Sequence, residues 1–304
     1  MTDLMVIQND YSFMPLVNMV IDGLTSEHSK GAYKRALTEF LNWYKSSGKR
    51  EFNKAVVLAY KSWLVESGLS SSTINLKLCA IRKLASEAND NGMLASDLSS
   101  GISKIKGVRM HGTRSGNWLT KERAQEIVNA PDTGTLKGLR DRAILAVLLG
   151  CGLRRSECAS LQIEDIQQRE GRWVIVDLTG KGRRVRSVPM PTWCKVAIDS
   201  WTASAGISSG NVFIQIRKGD HLTGVNNMTA HAIHDVVKIH CPEAAPHDLR
   251  RTFAKMAHKS GAALEQIQLT LGHSTIQTTE RYLGIQQDLI NAPCDKLGLK
   301  IEYV

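Results

Sequence analysis

Four short stretches of this sequence carry residue types that can work on a phosphate. GCGLRRSECASL at 150–161 breaks one helix at Gly150 and Gly152 and starts the next at Ser156. Arg154 then sits in the turn, held by the backbone rather than on a free stem, and its planar fork suits bidentate contact with a phosphate. TGKGRRVRSVP sets Lys181 between two glycines at a hairpin tip, with Arg183, Arg184 and Arg186 after it. Lys181 can donate a proton or hold a phosphate oxygen, and the arginines can grip backbone phosphates. PHDLRRTFAKMAHKSG places Pro246 at a helix start, with His247 and Arg250 three apart on one face of its positive end. An imidazole and a guanidinium converging there make an anion site with a proton carrier. TLGHSTIQTTERYL puts Gly272 at a helix C-cap, His273 in the break, Ser274 at the cap of a short helix and Tyr282 on that helix's far side. Taken singly, none of these stretches outweighs its plainer reading: a surface arginine, a solvated hairpin tip, a capped helix start and a packed tyrosine.

The elements that must hold them follow from periodicity. Residues 30–46 place Tyr33, Ala36, Leu37, Phe40, Leu41 and Tyr44 at helical spacing, and 53–67 repeat the pattern with Val56, Val57, Tyr60, Trp63 and Leu64, ended by Gly68. A third helix follows a Ser/Thr cap, with Ile74, Leu78, Ile81 and Leu84 on one side. Residues 1–105 therefore read as a helical N-terminal domain. The segment 106–118 is basic, rich in Gly and Ser and without apolar periodicity, so it reads as a linker in which Arg109, together with Lys104 and Lys106 at its start, can track a phosphate backbone. The second domain, 119–304, opens on an imperfect capping box with Arg123 three residues after Thr120. It continues with a helix at 138–149, an alternating hairpin around the Gly-Lys-Gly turn and helices from 246 onward. The fold class is mainly α with a small antiparallel β-sheet.

The chain of 304 residues is 42% hydrophobic and 22% charged, as in a folded globular protein large enough for two cores. No apolar run suits a membrane helix and the first residues lack a secretory pattern, which points to the cytoplasm. Six scattered cysteines with no C-x-x-C pair read as reduced, mostly buried thiols. The net charge is +10, with 12 Lys/Arg against 10 Asp/Glu in 1–105 and 27 against 19 in the remainder. That balance favours a polyanionic partner, nucleic acid before membrane.

In order, GLRRSE, a hairpin GKG, HDLR, and LGH followed nine residues later by Tyr resemble the tyrosine recombinase (phage integrase) family. The resemblance extends to the helical N-terminal part, which is similar to the family's core-binding domain, and the compact layout is closest to Xer-type and mobile-element recombinases. It implies a site-specific DNA recombinase, associated with the nucleoid, that cleaves and rejoins strands through a 3′-phosphotyrosine and a Holliday junction. Arg154 and Arg250 would clamp the scissile phosphate, Lys181 would serve as the hairpin lysine, His247 and His273 would complete the pocket and Tyr282 would be the nucleophile. Arg251 and Arg155 add charge where other residues also occur, and Glu157 is expected to orient its neighbours. No metal, ATP or other cofactor is implied. The implied partner is double-stranded DNA, bound by a homotetramer that is a monomer or weak oligomer when free, with an accessory factor or second recombinase as a further partner. The tail DLINAPCDKLGLKIEYV would dock on the next protomer.

Three other readings compete. A metal-dependent nuclease would use His231, His234, His240, Cys241 and His247, but their spacing fits no tidy site, no carboxylate cluster accompanies them and Pro242 and Pro246 break the segment. A DNA-binding protein that had lost catalysis should lack a pocket residue, and none is lacking. A type IB topoisomerase would share the nucleophile, but the two-domain layout and HDLR favour recombination.

Overall fold

A computed structural model of the chain describes residues 14–48, 51–109, 117–180, 185–217 and 219–283, without the side chains of His28, 223–226, Arg281 and Tyr282. It is mostly helical with small antiparallel sheets and divides into two compact units, Met1–Arg114 and Ser115–Val304. No helix among the described residues is long and apolar enough to cross a membrane.

The first unit contains α1 (Met14–Asp22), α2 (Glu27–Ser46), α3 (Lys54–Glu66), α4 (Ser71–Asp90) and α5 (Ser96–Ser103). Helix α4 packs against all four others, and it buries Ile74, Leu78, Ile81 and Leu84, the side expected from their spacing. Each fully buried aliphatic side chain of this kind contributes about 1.5–3 kcal/mol. Facing it is an aromatic cluster in which Phe40 meets the edge of Tyr60 at 5.1 Å between centroids and Phe52 at 5.8 Å. Asn53 caps α3 by accepting from the Val56 amide, and Ser70 caps α4 by accepting from Thr73.

The strand of chain leaving α5 is fastened to this unit. Asn75 brackets Val108, donating to its carbonyl at 3.0 Å and accepting from its amide at 2.8 Å, while Lys61 donates to the Lys106 carbonyl. Arg82 donates to the Ile105 carbonyl. Gly107 has to be glycine for this approach, because a Cβ there would lie 2.4 Å from Asn75 Oδ1. With the backbone turned inward, the side chains of Lys104, Lys106 and Arg109 are exposed. Of the expected connector, residues 110–116 lie outside the described part.

The second unit is built round α7 (Leu136–Gly150), whose residues from Ala143 to Leu149 are all buried, as in a helix that is apolar on every side. Thr135 caps it, and Asp220 accepts from the amides of Leu136 and Lys137 at 2.6 and 2.9 Å. Helix α6 (Lys121–Asn129) precedes it, capped by Thr120 as the sequence suggests. After α8 (Arg155–Ala159) come β1 (Ile166–Arg169), β2 (Arg172–Thr179) and β3 (Val185–Met190), an antiparallel sheet in that order. Helix α9 (Thr192–Ala205) and a second hairpin, β4 (Ile214–Arg217) with β5 (His221–Asn227), were not apparent from periodicity. Trp201 is fully buried and donates its indole N–H to the Val212 carbonyl, which links α9 to the strand entering that hairpin. Helices α10 (Ala230–His240), α11 (Pro246–Lys259), α12 (Leu264–Leu271) and α13 (Ile276–Leu283) complete the unit.

Candidate active site

The site begins at Gly152. Its φ of +61° is left-handed, and a Cβ there would lie 2.6 Å from the ring of Phe253 on α11. Glycine therefore makes the turn and lets α11 come close. Arg154 is the N-cap of α8, whose first residue Arg155 is one earlier than the expected start at Ser156, and its amide donates to the Glu157 carboxylate at 2.8 Å. On α11, Pro246 occupies the first turn and Asp248 accepts from the Ala245 amide, which fixes the end from which His247 and Arg250 project.

Three successive carbonyls at the end of α12 each accept from a different arginine. Arg186 Nε donates to Thr270 at 2.8 Å, Arg250 Nη2 donates to Leu271 and Arg154 Nη2 reaches Gly272 at 3.4 Å. Gly272 ends the helix with φ +62°, so these carbonyls lack helical partners and carry the negative end of the helix dipole. Arg250 also donates to the Gly152 carbonyl, joining both turns. Glu157 lies among the guanidinia, 2.7 Å from Arg154 Nη1, 3.0 and 2.9 Å from the two Nη atoms of Arg186, and 3.9 Å from Arg250 Nη1. Burial alone would raise its carboxyl, but the hydrogen bonds from Arg186 and the Arg154 amide outweigh that and hold it at about 2.

Arg154, His247 and Arg250 converge on a cleft of roughly 300 Å³ whose edge includes Arg155, Ser156 and His234. A larger groove of about 440 Å³, lined by Val128, Leu149, Trp193 and Met256, contains none of the candidate residues. His247 is exposed at the cleft's mouth; desolvation of the part turned inward, then the charges of Arg251 and Arg250, lower its pKa from 6.5. His273 is half-buried, and burial followed by the charges of Arg250 and Arg154 brings it down to about 4. Both imidazoles are thus neutral at pH 7. Unfolded histidine takes up protons below about pH 6.5 while folded His273 does not until about pH 4. Stability should therefore fall as pH drops through that window. Thermal melts at half-unit steps should show the slope, and His273→Gln should flatten it.

His273 Nδ1 lies 3.0 Å from the hydroxyl of Thr279, which is fully buried on α13. If the hydroxyl donates, the ring keeps its proton on Nε2 and presents a donor. If the site cleaves DNA strands, as the resemblance implies, Thr279→Val, which keeps the shape and removes the hydroxyl, should slow cleavage about 3–10-fold, the loss of one net hydrogen bond, while Thr279→Ser should hold near the wild-type rate. Single-turnover cleavage assays check it. This residue went unnoticed in the sequence because only the break after Gly272 brings it to the histidine. Thr275, rather than Ser274, caps α13, accepting from the Thr278 amide at 3.4 Å.

Tyr282 belongs to α13, three residues beyond Thr279, with its side chain outside the described part. Lys181, Arg183 and Arg184 also lie outside it, but Gly180, just before them, abuts the cluster, a Cβ there falling 3.0 Å from Arg186 and 3.3 Å from Arg154. Arg186 is placed differently from the phosphate-gripping role expected of it. In β3 it shares the inward face with Val188 and Met190, and it is held by Glu157 and Thr270. Arg251 is half-buried on α11, next to the site. Of the residues weighed as metal ligands, His240 pairs with Asp141 at 3.2 Å and Cys241 is buried, while His231 and His234 group instead with Asp235.

The phage integrase family model matches residues 117–288, and the model for the phage integrase N-terminal SAM-like domain matches 18–92. Tyrosine recombinase XerD of Pseudomonas aeruginosa is 26% identical over 283 residues, covering 89% of this chain and 93% of its own. Tyrosine recombinase XerC of Thermodesulfovibrio yellowstonii is 28% identical over 274 residues, covering 86% of each. In fold, the chain is similar to the Tn1549 transposon integrase in complex with circular intermediate DNA, with a TM-score of 0.67 and 18% identity over 93% of this chain and 98% of that one. It is also similar to the XerH site-specific recombinase bound to difH substrate, with a TM-score of 0.63 and 17% identity over 86% of this chain and 76% of that one.

Proposed function

This chain belongs to the phage integrase family of tyrosine recombinases, and we propose that it recombines DNA site-specifically with Tyr282 as nucleophile and Arg154 and Arg250 as the clamp on the scissile phosphate. The observation that carries the residue assignment is the convergence of Arg154, His247 and Arg250 on one cleft, with both guanidinia pinned to the end of α12.

In this reading the Tyr282 hydroxyl attacks phosphorus and forms the P–O bond as the bond to the 5′ oxygen breaks. A phenol is ordinarily protonated at neutral pH, so its proton needs an acceptor, and neutral His247 at the cleft's mouth suits that role. Lys181 is the proposed donor to the departing 5′ oxygen. Negative charge building on the non-bridging oxygens meets two guanidinia fixed beforehand, which need not reorganise as it develops. With Thr279 donating to its Nδ1, His273 would carry its proton on Nε2 and add a neutral donor.

The product is a 3′-phosphotyrosyl link and a free 5′ hydroxyl. The link is itself a phosphodiester, so the 5′ hydroxyl of another strand can attack it and return Tyr282, with no nucleotide hydrolysed. Exchange between two duplexes cuts four strands in two pairs and passes through a Holliday junction. Since each protomer supplies one tyrosine, the working unit is proposed to be a tetramer on DNA, whether or not a second recombinase or accessory factor joins it. Lys104, Lys106 and Arg109, exposed on a backbone strap held down by Asn75, Lys61 and Arg82, are proposed phosphate contacts of the first unit. Arg183, Arg184 and Arg251 are proposed contacts of the second.

The test mixes the protein with sheared DNA from its own host in EDTA, quenches with detergent and sequences the ends of protein-linked fragments. Adducts at a few discrete sites, joined through a 3′ phosphate, are expected. Binding without adducts would favour a protein that recognises DNA without cutting it, and adducts appearing only with added divalent metal would favour the nuclease reading.

A further inference from the structure

Glu157 is an odd neighbour for a phosphate. Its carboxylate is buried, ionised, and 2.7 Å from Arg154 Nη1, where it both draws on that arginine and repels an incoming anion. Arg186 is disposed to cancel it. Both of its Nη atoms lie on the two carboxylate oxygens, at 3.0 and 2.9 Å, and its Nε is spent on the Thr270 carbonyl. The side chain is 9% exposed, so this ion pair is hardly screened by solvent. Arg154 and Arg250, by contrast, each send one Nη to a carbonyl at the end of α12 and line the cleft. Arg186 does not line it.

We propose that Arg186 is a positioning residue for strand cleavage: it neutralises Glu157 and ties the end of α12 to β3, so that Arg154 and Arg250 face the phosphate with their charge available. The inference rests on the phosphate-clamp reading above. Local charge makes the consequence explicit. With Arg186 present, three guanidinia face one carboxylate; without it, two remain, and Glu157 holds Arg154 as its nearest partner. The sequence puts Arg186 two residues beyond Arg184 in a basic run, where it looks like one more surface contact. The alternation of β3 turns it inward.

The experiment uses full-length protein and a duplex oligonucleotide carrying a site recovered from the adduct map. DNA affinity is read by fluorescence anisotropy and cleavage by single-turnover adduct formation at saturating DNA. Arg186→Gln should lower the cleavage rate about 100-fold, the scale of losing one preorganised donor, with affinity changed less than about threefold. Arg186→Lys, which keeps the charge but not the fork, should retain at least about a tenth of the rate. The decisive variant is Glu157→Gln/Arg186→Gln, which removes both charges and should cleave at least about tenfold faster than Arg186→Gln alone, since no buried carboxylate is left to draw on Arg154. A merely structural arginine would give no such rescue.

A folded double variant no faster than Arg186→Gln would overturn the proposal. So would an Arg186→Gln protein that cleaves normally at saturation but binds more weakly with a salt slope smaller by about one, the signature of a direct phosphate contact. Should Arg186→Gln not stay folded, Arg186→Lys decides it, because it leaves Glu157 paired: a folded Arg186→Lys protein cleaving at less than about a tenth of the wild-type rate at saturating DNA would overturn the proposal. Failure of the underlying reading would look different: wild-type protein that binds sheared host DNA yet yields no protein-linked ends from which to recover a site.

Discussion

Tyr282→Phe protein is expected to form no covalent adduct with DNA while binding the same duplex within about threefold of wild type, since on the proposed assignment only the attacking oxygen is removed. The change deletes one hydroxyl and keeps the ring, so the fold has little reason to respond. Other groups of the site do not replace the nucleophile: arginine is never deprotonated, and His247 and His273 attacking phosphorus would leave acid-labile phosphoramidates in place of a stable phosphotyrosine. The measurement is gel-shifted, detergent-resistant complex from a labelled oligonucleotide, followed by protease digestion and identification of the modified peptide. An adduct retained in the Phe variant would move the nucleophile elsewhere, and the peptide would show where. If the proposed tetramer is the working unit, the variant mixed with wild-type protein should also stall exchange, because one inactive tyrosine leaves one strand of a pair uncut.

Arg250→Ala is expected to lose about 1000-fold in cleavage, near the upper range for removing a preorganised charge-stabilising donor. It should also lower stability by about 2–4 kcal/mol, because Arg250 is 2% exposed and its removal leaves the Gly152 and Leu271 carbonyls without that donor. The two effects must be separated by working below the melting point of the variant and saturating it with DNA. Arg250→Lys separates them further. A lysine keeps the charge but cannot span two carbonyls and still face the cleft, so most of the cleavage defect should persist while part of the stability returns. Full activity in Arg250→Lys would mean that a point charge suffices and that the fork serves only the fold.

Much of this site was legible before any fold was known. Gly152, Gly272 and Pro246 are punctuation whose local geometry follows from the residue itself: two left-handed positions and one helix start. The caps at Ser70 and Thr120 are likewise local, each a hydroxyl oxygen meeting an amide three residues on. Helical spacing placed the core of α4 correctly for the same reason. By contrast, α9 and the β4–β5 hairpin escaped notice. Alternation in β4 is short, and α9 begins directly after a strand with Trp193 and Val196 left exposed, so neither shows a clean apolar face.

By itself the sequence determined that this chain carries arginines, histidines and a tyrosine in the order GLRRSE, HDLR, LGH and Tyr, each in a turn or helix end that local residues create. Those features depend on neighbours within a few positions, and a linear reading can weigh them. Only the tertiary structure decided which partner each charge would take. Arg186 looked like a member of a basic surface run and is instead the counterion of a residue 29 positions earlier, and Thr279 meets His273 through the bends at Ser274 and Thr275 that lead into α13. The physical reason is that a guanidinium or hydroxyl has several equivalent donors and acceptors to choose from, and the choice rests on which backbone carbonyls and carboxylates packing brings within hydrogen-bond reach.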